Sequence, residues 1–315
     1  MPKVLVIGGE NETYQRIFAE NGITCAFCGG NKAEILQNGR DADAIIFSST
    51  RFDDELFSKL PNLKIISRSG VGIDTVDMDA ANAHGVAVCN CASYGAPDVA
   101  QHTVALLLSL IHSVPRYDRN IKTENNWSMS GIPNAVRLGE KTLGIVGFGR
   151  ISQQICRVMR AFGMKIRVCD PYANMAMAEE LGVEVTDLDT LLRTSDILSV
   201  NAPLTPDTYH MINADALAKM KDGAYVVNTA RGSLIDETAL IDALASGKLS
   251  GVALDVYENE PFADENQLRS FDNVVLTPHV AWRSDEAIRD LQVEVCENIV
   301  EYFQGNVPRN QLNKR

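Results

Sequence analysis

Short apolar runs alternate with amphipathic stretches along almost the whole chain, and this rhythm constrains the fold more than any other feature. The early runs are Lys3–Ile7, Ile23–Phe27, Ala44–Phe47, Lys64–Ser67 and Val86–Cys89, with helical patterns between them, as at Glu12–Glu20. Short, nearly all-apolar runs suit strands buried on both faces, and the amphipathic stretches between them supply the crossovers. The pattern predicts a parallel sheet covered by helices on both sides. The stretch Asp98–Ser113 is apolar nearly all round and ends before Pro115, which predicts a buried helix lying between domains or between subunits. A second series starts at Thr142, with runs at Leu143–Val146, Ile166–Cys169, Ile197–Val200, Ala224–Asn228, Val252–Val256 and Val274–Leu276. After His279 comes a final helical pattern from about Ser284 to Phe303, then a polar tail.

The expected fold class is therefore α/β, with two doubly wound parallel-sheet domains, and 315 residues suffice for two cores. One domain is expected at 98–283. The other comprises 1–97 with 284–315, because the final helix lies too far along the chain to extend the second sheet. No apolar run reaches the roughly 18 residues of a membrane helix, and the opening MPKVLVIGG reads as a first strand, not a leader. The net charge of −12 argues against nucleic acid or an anionic membrane as partner, since both call for a basic face. A small anionic ligand stays open, because a few local Arg residues can outweigh the global field. Seven Cys without a leader suggest reduced thiols and a cytoplasmic location. Cys25 and Cys28 have C-x-x-C spacing, but no second ligand pair follows, so they read as core cysteines and no metal is expected.

Ligands of doubly wound sheets bind beyond the carboxyl ends of the strands. Residues 143–152, LGIVGFGRIS, read as a strand, a glycine turn and a helix. Gly147 permits the turn, and Gly149 lets backbone amides approach a pyrophosphate at the helix N-terminus. The third position of G-x-G-x-x-G is Ser152, which predicts slightly looser helix–strand packing. The next strand leads to Asp170, 18 residues past Ser152, where a carboxylate accepts hydrogen bonds from ribose hydroxyls and repels a 2′-phosphate. No Arg follows in Asp170-Pro171-Tyr172, so the expected cofactor is NAD and not NADP.

Three later strands each deliver a polar residue at or beyond their carboxyl ends: Arg231, Glu260 and His279. Singly each is unremarkable. Together, at equivalent ends of one sheet, they form a set suited to hydride transfer. A histidine, with a reference pKa near 6.5, can take an alcohol proton. A neighbouring Glu fixes its tautomer, and an Arg holds a carboxylate and polarises a carbonyl. His84, His102, His112 and His210 are weaker candidates for chemistry.

The chain resembles the D-isomer-specific 2-hydroxyacid dehydrogenase family over nearly its whole length. The motifs are SGVGIDTVD at 69–77, VAQHTVALLL at 99–108, TLGIVGFGRIS at 142–152, NTARGSLID at 228–236, ALDVYENEP at 253–261 and LTPHVAW at 276–282. The resemblance implies a flavodoxin-like substrate-binding domain and a Rossmann NAD-binding domain. It implies Arg231 as the substrate-binding Arg, Glu260 as the residue orienting the histidine, and His279 as the acid/base. It places Asp255 near the nicotinamide carboxamide, and it assigns Val71 and Gly72 as amides holding a substrate carboxylate. Arg150, Ile151, Ala202, Pro203 and Thr229 complete the expected cofactor contacts, with Arg231 and His279 among them. The departures are Ser152 and Arg283, and neither removes a reacting group.

The substrate within the family stays open among small 2-hydroxy and 2-keto acids, with 3-phosphoglycerate and hydroxypyruvate in view. Arg68 precedes the carboxylate loop; it reads equally as a contact for a phosphorylated or second acidic group and as an ion pair with a neighbouring carboxylate. Formate dehydrogenase resembles the chain less, having Gln where this chain has Glu260, and phosphite dehydrogenase would need a Lys at Val71. The chain ends after the return helix, so no C-terminal regulatory domain is expected. A homodimer is expected from the apolar helix and from the pairing of family members through that region. The alternative is a NAD-sensing corepressor-like binding protein on the same fold, which keeps the Arg/Glu/His set; the compact chain counts against it.

Overall fold

The computed structural model describes residues 1–313. The chain divides into two compact units, Met1–Gly95 with the segment from Arg283 on, and Ala96–Trp282. Positions 314 and 315 of the first expected domain lie outside the described residues.

The strands of the first unit are β1 (Lys3–Ile7), β2 (Thr24–Cys28), β3 (Ala44–Phe47), β4 (Ile65–Arg68) and β5 (Ala87–Cys89). Those of the second are β6 (Thr142–Val146), β7 (Lys165–Cys169), β8 (Glu184–Val185), β9 (Ile197–Val200), β10 (Ala224–Asn228), β11 (Leu249–Leu254) and β12 (Val274–Leu276). Helices of the first unit include α1 (Glu12–Glu20), and those of the second α2 (Ala96–Ile111), α3 (Val114–Lys122), α4 (Arg150–Ala161) and α5 (Glu237–Ala245); α6 (Asp285–Phe303) returns to the first.

The first unit is a five-stranded sheet in the order β2-β1-β3-β4-β5, all parallel. It is the flavodoxin-like order, with its reversal at β1 and β3. Every residue of β3 is buried, as expected for a central strand covered on both faces. The return helix α6 starts at the Ser284 cap, whose hydroxyl accepts from the Ala287 amide, and packs on α1 and β4. Buried Asn298 fixes it there, donating to Ser67 Oγ at 3.1 Å and to the Asn90 carbonyl at 2.9 Å. The following segment runs back along β5, where the Leu312 amide donates to the Val88 carbonyl at 2.9 Å.

The second unit is a seven-stranded sheet in the order β12-β11-β10-β9-β6-β7-β8, again parallel. Its reversal at β6 and β9 is the Rossmann switch point, next to the glycine turn. The two-residue strand β8 carries too little pattern to show in the sequence. The strand expected over Val252–Val256 instead spans Leu249–Leu254, so Asp255 sits just past its end.

The apolar helix α2 packs within its own unit. Ala100, Val104, Leu107, Leu110 and Ile111 of α2 share one core with Leu143, Ile145, Val227 and Ala253 of the sheet. Burying each of the larger of these side chains is worth about 1.5–3 kcal/mol, so the contact with the sheet holds one face of the helix firmly. Its end differs from the expectation. Ser113, at φ 52, breaks the helix in the left-handed region, and Pro115 lies in the first turn of α3, where a missing amide proton does no harm.

Candidate active site

The glycine turn after β6 is held from two sides. Gly147 has φ +90, and a Cβ there would meet the Asn201 carbonyl oxygen at 2.8 Å, so only glycine lets this turn lie on the loop after β9. Its amide donates to the Cys169 carbonyl at 2.8 Å. Asp170, just past β7, accepts from the Phe148 amide through Oδ2 at 2.7 Å and from the Tyr172 amide through Oδ1 at 2.8 Å. Gly149 caps α4 without a side-chain bond to the helix, and nothing lies within 4 Å of where its Cβ would be. Arg150 and Ile151 form the first turn of α4, and the leading amides of a helix are the groups that can hold an anion. These residues fit a dinucleotide pyrophosphate. Ser152 is 1 % exposed. Its Oγ has no hydrogen-bond partner among the described residues.

Ala202 and Pro203 lie on the loop facing Gly147; Ala202 is buried and Pro203 exposed. Thr229 is buried beyond β10, and its Oγ1 lies 2.7 Å from Thr103 Oγ1 of α2. Next to it the Arg231 loop folds tightly: Asn228 Nδ2 donates to the Arg231 carbonyl at 2.8 Å, and one Arg231 guanidinium nitrogen donates to the Ala230 carbonyl at 2.7 Å. A Cβ on Gly232 would fall 1.9 Å from the Tyr257 carbonyl carbon. Glycine is thus required for the Arg231 loop to touch the segment that carries Glu260.

Glu260 and His279 meet directly. His279 Nδ1 lies 2.7 Å from Glu260 Oε2, and Glu260 Oε1 accepts from the Tyr257 amide at 3.0 Å. Partial burial pushes the Glu260 carboxyl up. Hydrogen bonds from His279 and the Tyr257 amide, with the charges of His279 and Arg231, outweigh that and hold it below its ordinary value of 4.5. An ionised carboxylate can only accept, so Nδ1 carries the proton of this bond and Nε2 is left for a substrate. The structure therefore puts His279 and Glu260 in contact, with Arg231 near enough for its charge to act on Glu260.

His279 adopts φ 53, a left-handed conformation that costs on the order of 1–3 kcal/mol and needs support. Asp255 supplies it. The His279 amide donates to the Asp255 carbonyl at 2.8 Å. The Val280 and Ala281 amides donate to its Oδ1 and Oδ2, both at 2.9 Å, and the Thr277 hydroxyl adds a third bond at 2.6 Å. The Asp255 side chain is fully buried. The resemblance gave Asp255 a nicotinamide contact only; its clamp on the His279 loop was missed. The available signal is an acidic residue inside the apolar run VALDVY, which burial obliges to find several donors. Tyr257 adds a further anchor, its hydroxyl donating to the Thr277 carbonyl at 2.9 Å.

The other histidines lie elsewhere. His84 pairs with Asp54 at 2.9 Å, and His112 is exposed. His210 Nε2 sits 2.6 Å from Glu258 Oε1, at ion-pair distance but off the N–H direction, and ties the loop after β9 to the segment before Glu260. Asp236, the cap of α5, joins these two in the one His/Asp/Glu cluster among the described residues whose ligand atoms all lie within 4.8 Å. His102 bonds Thr277 at 3.0 Å. All seven cysteines are free, and burial pushes the Cys25 thiol up to about 11 and Cys89 and Cys156 to about 12.

Of the residues expected in the first unit, Val71 is exposed, and its carbonyl accepts from Asn90 Nδ2 at 2.7 Å. The Gly72 carbonyl accepts from Arg68. Arg68 also donates from Nε to the Ser48 carbonyl at 3.0 Å, so its guanidinium braces backbone between β3 and the 69–72 loop. No described helix is long and apolar enough to cross a membrane.

Residues 104–281 match the family model described as D-isomer specific 2-hydroxyacid dehydrogenase, NAD binding domain. A D-3-phosphoglycerate dehydrogenase of Archaeoglobus fulgidus is 36 % identical over 313 residues, covering 99 % of this chain and 59 % of the relative. A hydroxypyruvate reductase of Thermotoga maritima is 41 % identical over 272 residues, covering 85 % of this chain and 87 % of the relative. The solved D-lactate dehydrogenase of Aquifex aeolicus, complexed with NAD and lactic acid, superposes with a TM-score of 0.87 at 31 % identity, covering 96 % of each chain. The chain spans 51–60 % of the length of the D-3-phosphoglycerate dehydrogenases it matches.

Proposed function

Because the chain belongs to the D-isomer-specific 2-hydroxyacid dehydrogenase family, we propose that it interconverts a small D-2-hydroxy acid and its 2-keto acid with NAD. The observation that carries this reading is the His279 Nδ1–Glu260 Oε2 contact of 2.7 Å, with Arg231 close enough for its charge to act on Glu260. NAD fits the glycine turn described above, and when bound it supplies the acceptor of the substrate's hydride in oxidation and, reduced, the donor in the reverse reaction. Gly147, Gly149, Arg150, Ile151, Ala202, Pro203 and Thr229 are its proposed neighbours, with Asp170 on the adenosine ribose. Thr229 and Asp255 support the site mainly from beneath, since their polar atoms already bond protein groups.

During oxidation His279 Nε2 accepts the proton of the substrate hydroxyl. Glu260 keeps the ring in the required tautomer and stabilises the imidazolium that forms. Arg231 binds the substrate carboxylate and draws charge toward the carbonyl oxygen, which favours the keto form's polarised state. In reduction the same imidazolium returns its proton to the forming alkoxide. The amides of Val71 and Gly72 are proposed as further carboxylate donors. Arg68, already bonded to two carbonyls, is proposed to shape their loop.

The free, unreactive thiols support a reducing compartment, the cytoplasm. Homodimer formation is proposed through Val114, Ile121, Trp127 and Met129, large apolar side chains left exposed on and after α3. The test of the activity is NADH oxidation with hydroxypyruvate, pyruvate, glyoxylate, 2-ketoglutarate and phosphohydroxypyruvate. Turnover with at least one is expected. Cofactor binding without turnover on any of them would contradict the proposal.

A further inference from the structure

Two neighbouring side chains of α2 hold the ends of two strands that lead into the reacting residues. His102 Nε2 lies 3.0 Å from Thr277 Oγ1, just past β12, and Thr277 Oγ1 donates to Asp255 Oδ1 at 2.6 Å. The Thr277 proton is committed to the carboxylate, so His102 Nε2 must be the donor in the first bond. His102 Nε2 is also 3.7 Å from Asp255 Oδ1 itself. One residue further, Thr103 Oγ1 donates to the Val99 carbonyl at 2.6 Å, so in its 2.7 Å contact with Thr229 Oγ1 the donor is Thr229. The first chain ends at the loop of His279 and the second at the loop of Arg231.

We propose that α2 sets the catalytic geometry through His102 and Thr103, which act as positioning residues for His279 and Arg231. This rests on the reading of those two as reacting groups. Buried Asp255 grips the Val280 and Ala281 amides that hold His279 left-handed. A hydrogen bond in such dry surroundings polarises the next one, so the His102 N–H strengthens the grip through Thr277. Without that donor Thr277 Oγ1 is free to rotate, the bond to Asp255 weakens, and the ring of His279 loses its fixed approach to Glu260. Without the Thr103 hydroxyl, Thr229 loses its acceptor and the Ala230–Arg231 turn gains freedom. A helix that packs purely by apolar contact would need neither group.

The test uses His102→Leu, which removes the donor, and His102→Gln, whose amide nitrogen can occupy the Nε2 position. Two readouts are taken: steady-state keto-acid reduction, and the ring nitrogen titration of His279 by NMR in the cofactor-free protein, where only five histidines contribute signals. In His102→Leu, kcat falls roughly tenfold to a hundredfold, as displacing a reacting group does, with NADH affinity kept. The His279 titration midpoint moves toward that of Glu260→Gln, and His102→Gln restores both. Thr103→Val raises keto-acid KM severalfold, and Thr103→Ser restores it. The same Leu replacement at exposed His112 changes nothing. If His102→Leu is poorly folded, Thr277→Val and Thr277→Ser break and keep the same link and must show the same contrast. Wild-type kcat and wild-type His279 titration in folded His102→Leu, or equal losses in the Leu and Gln variants, overturn the proposal. A wild-type protein that reduces no keto acid overturns the proposed function instead, while the His279 titration still decides the link to His102.

Discussion

The Asp170 carboxylate accepts the Phe148 amide at 2.7 Å, so the residue expected to read the ribose also braces the glycine turn. Asp170→Ala should therefore weaken NAD binding in two ways, by loss of the ribose contact and by a looser turn. It should also narrow the gap to NADP, because the repulsion of a 2′-phosphate disappears with the charge. Fluorescence titrations with NADH and NADPH check this. Equal use of both cofactors by the wild type would contradict it.

Ser152 buries a hydroxyl with no partner among the described residues, in the third place of the glycine motif. Ser152→Ala removes that unmet group and improves helix propensity, so it should stabilise the protein by about 1 kcal/mol. Urea unfolding measures the difference. A loss of similar size would mean that the hydroxyl is bonded after all.

Trp127 is 91 % exposed and Met129 80 %, with Val114 and Ile121 nearby in sequence. Light scattering at micromolar concentration should show a dimer for the wild type and a monomer for Trp127→Asp combined with Ile121→Asp. A monomeric wild type would remove the proposed role of this surface.

Glu260 is held below 4.5, so its contribution to stability is present above that value and is lost as pH falls through the lower, folded-state value. The melting-temperature gap between wild type and Glu260→Gln should be full above pH 4.5 and close below it. The same variant should move the alkaline limb of keto-acid reduction to lower pH, because the imidazolium loses the carboxylate that favours it. An unmoved limb would mean that Glu260 does not govern the His279 proton.

Much of this was legible in the sequence because strand and turn chemistry are local. Among the described residues the apolar runs located eleven of the twelve strands, missing only two-residue β8, and the glycine spacing located the turn beside β6. The candidate set was legible because Arg231, Glu260 and His279 each follow a recognisable run. What the sequence hid is set by tertiary contact. The pattern of α2 does not say that it packs on Val227 and Ala253 of its own unit. The clamp that Asp255 forms appears only once its donors are placed, and no spacing rule links His102 with Thr277, 175 positions away. Gly232 shows its reason only through the backbone of Tyr257, 1.9 Å from where its Cβ would be.

The central claim is that His279 moves the substrate's proton while the glycine turn and Asp170 hold the cofactor. The most direct test is kcat of His279→Ala on the best keto acid, measured beside its NADH affinity. The account predicts a fall of roughly 10²–10⁴, the usual worth of a positioned acid or base, with NADH affinity largely kept and little further loss when Glu260→Gln is added. Turnover near that of the wild type would contradict it.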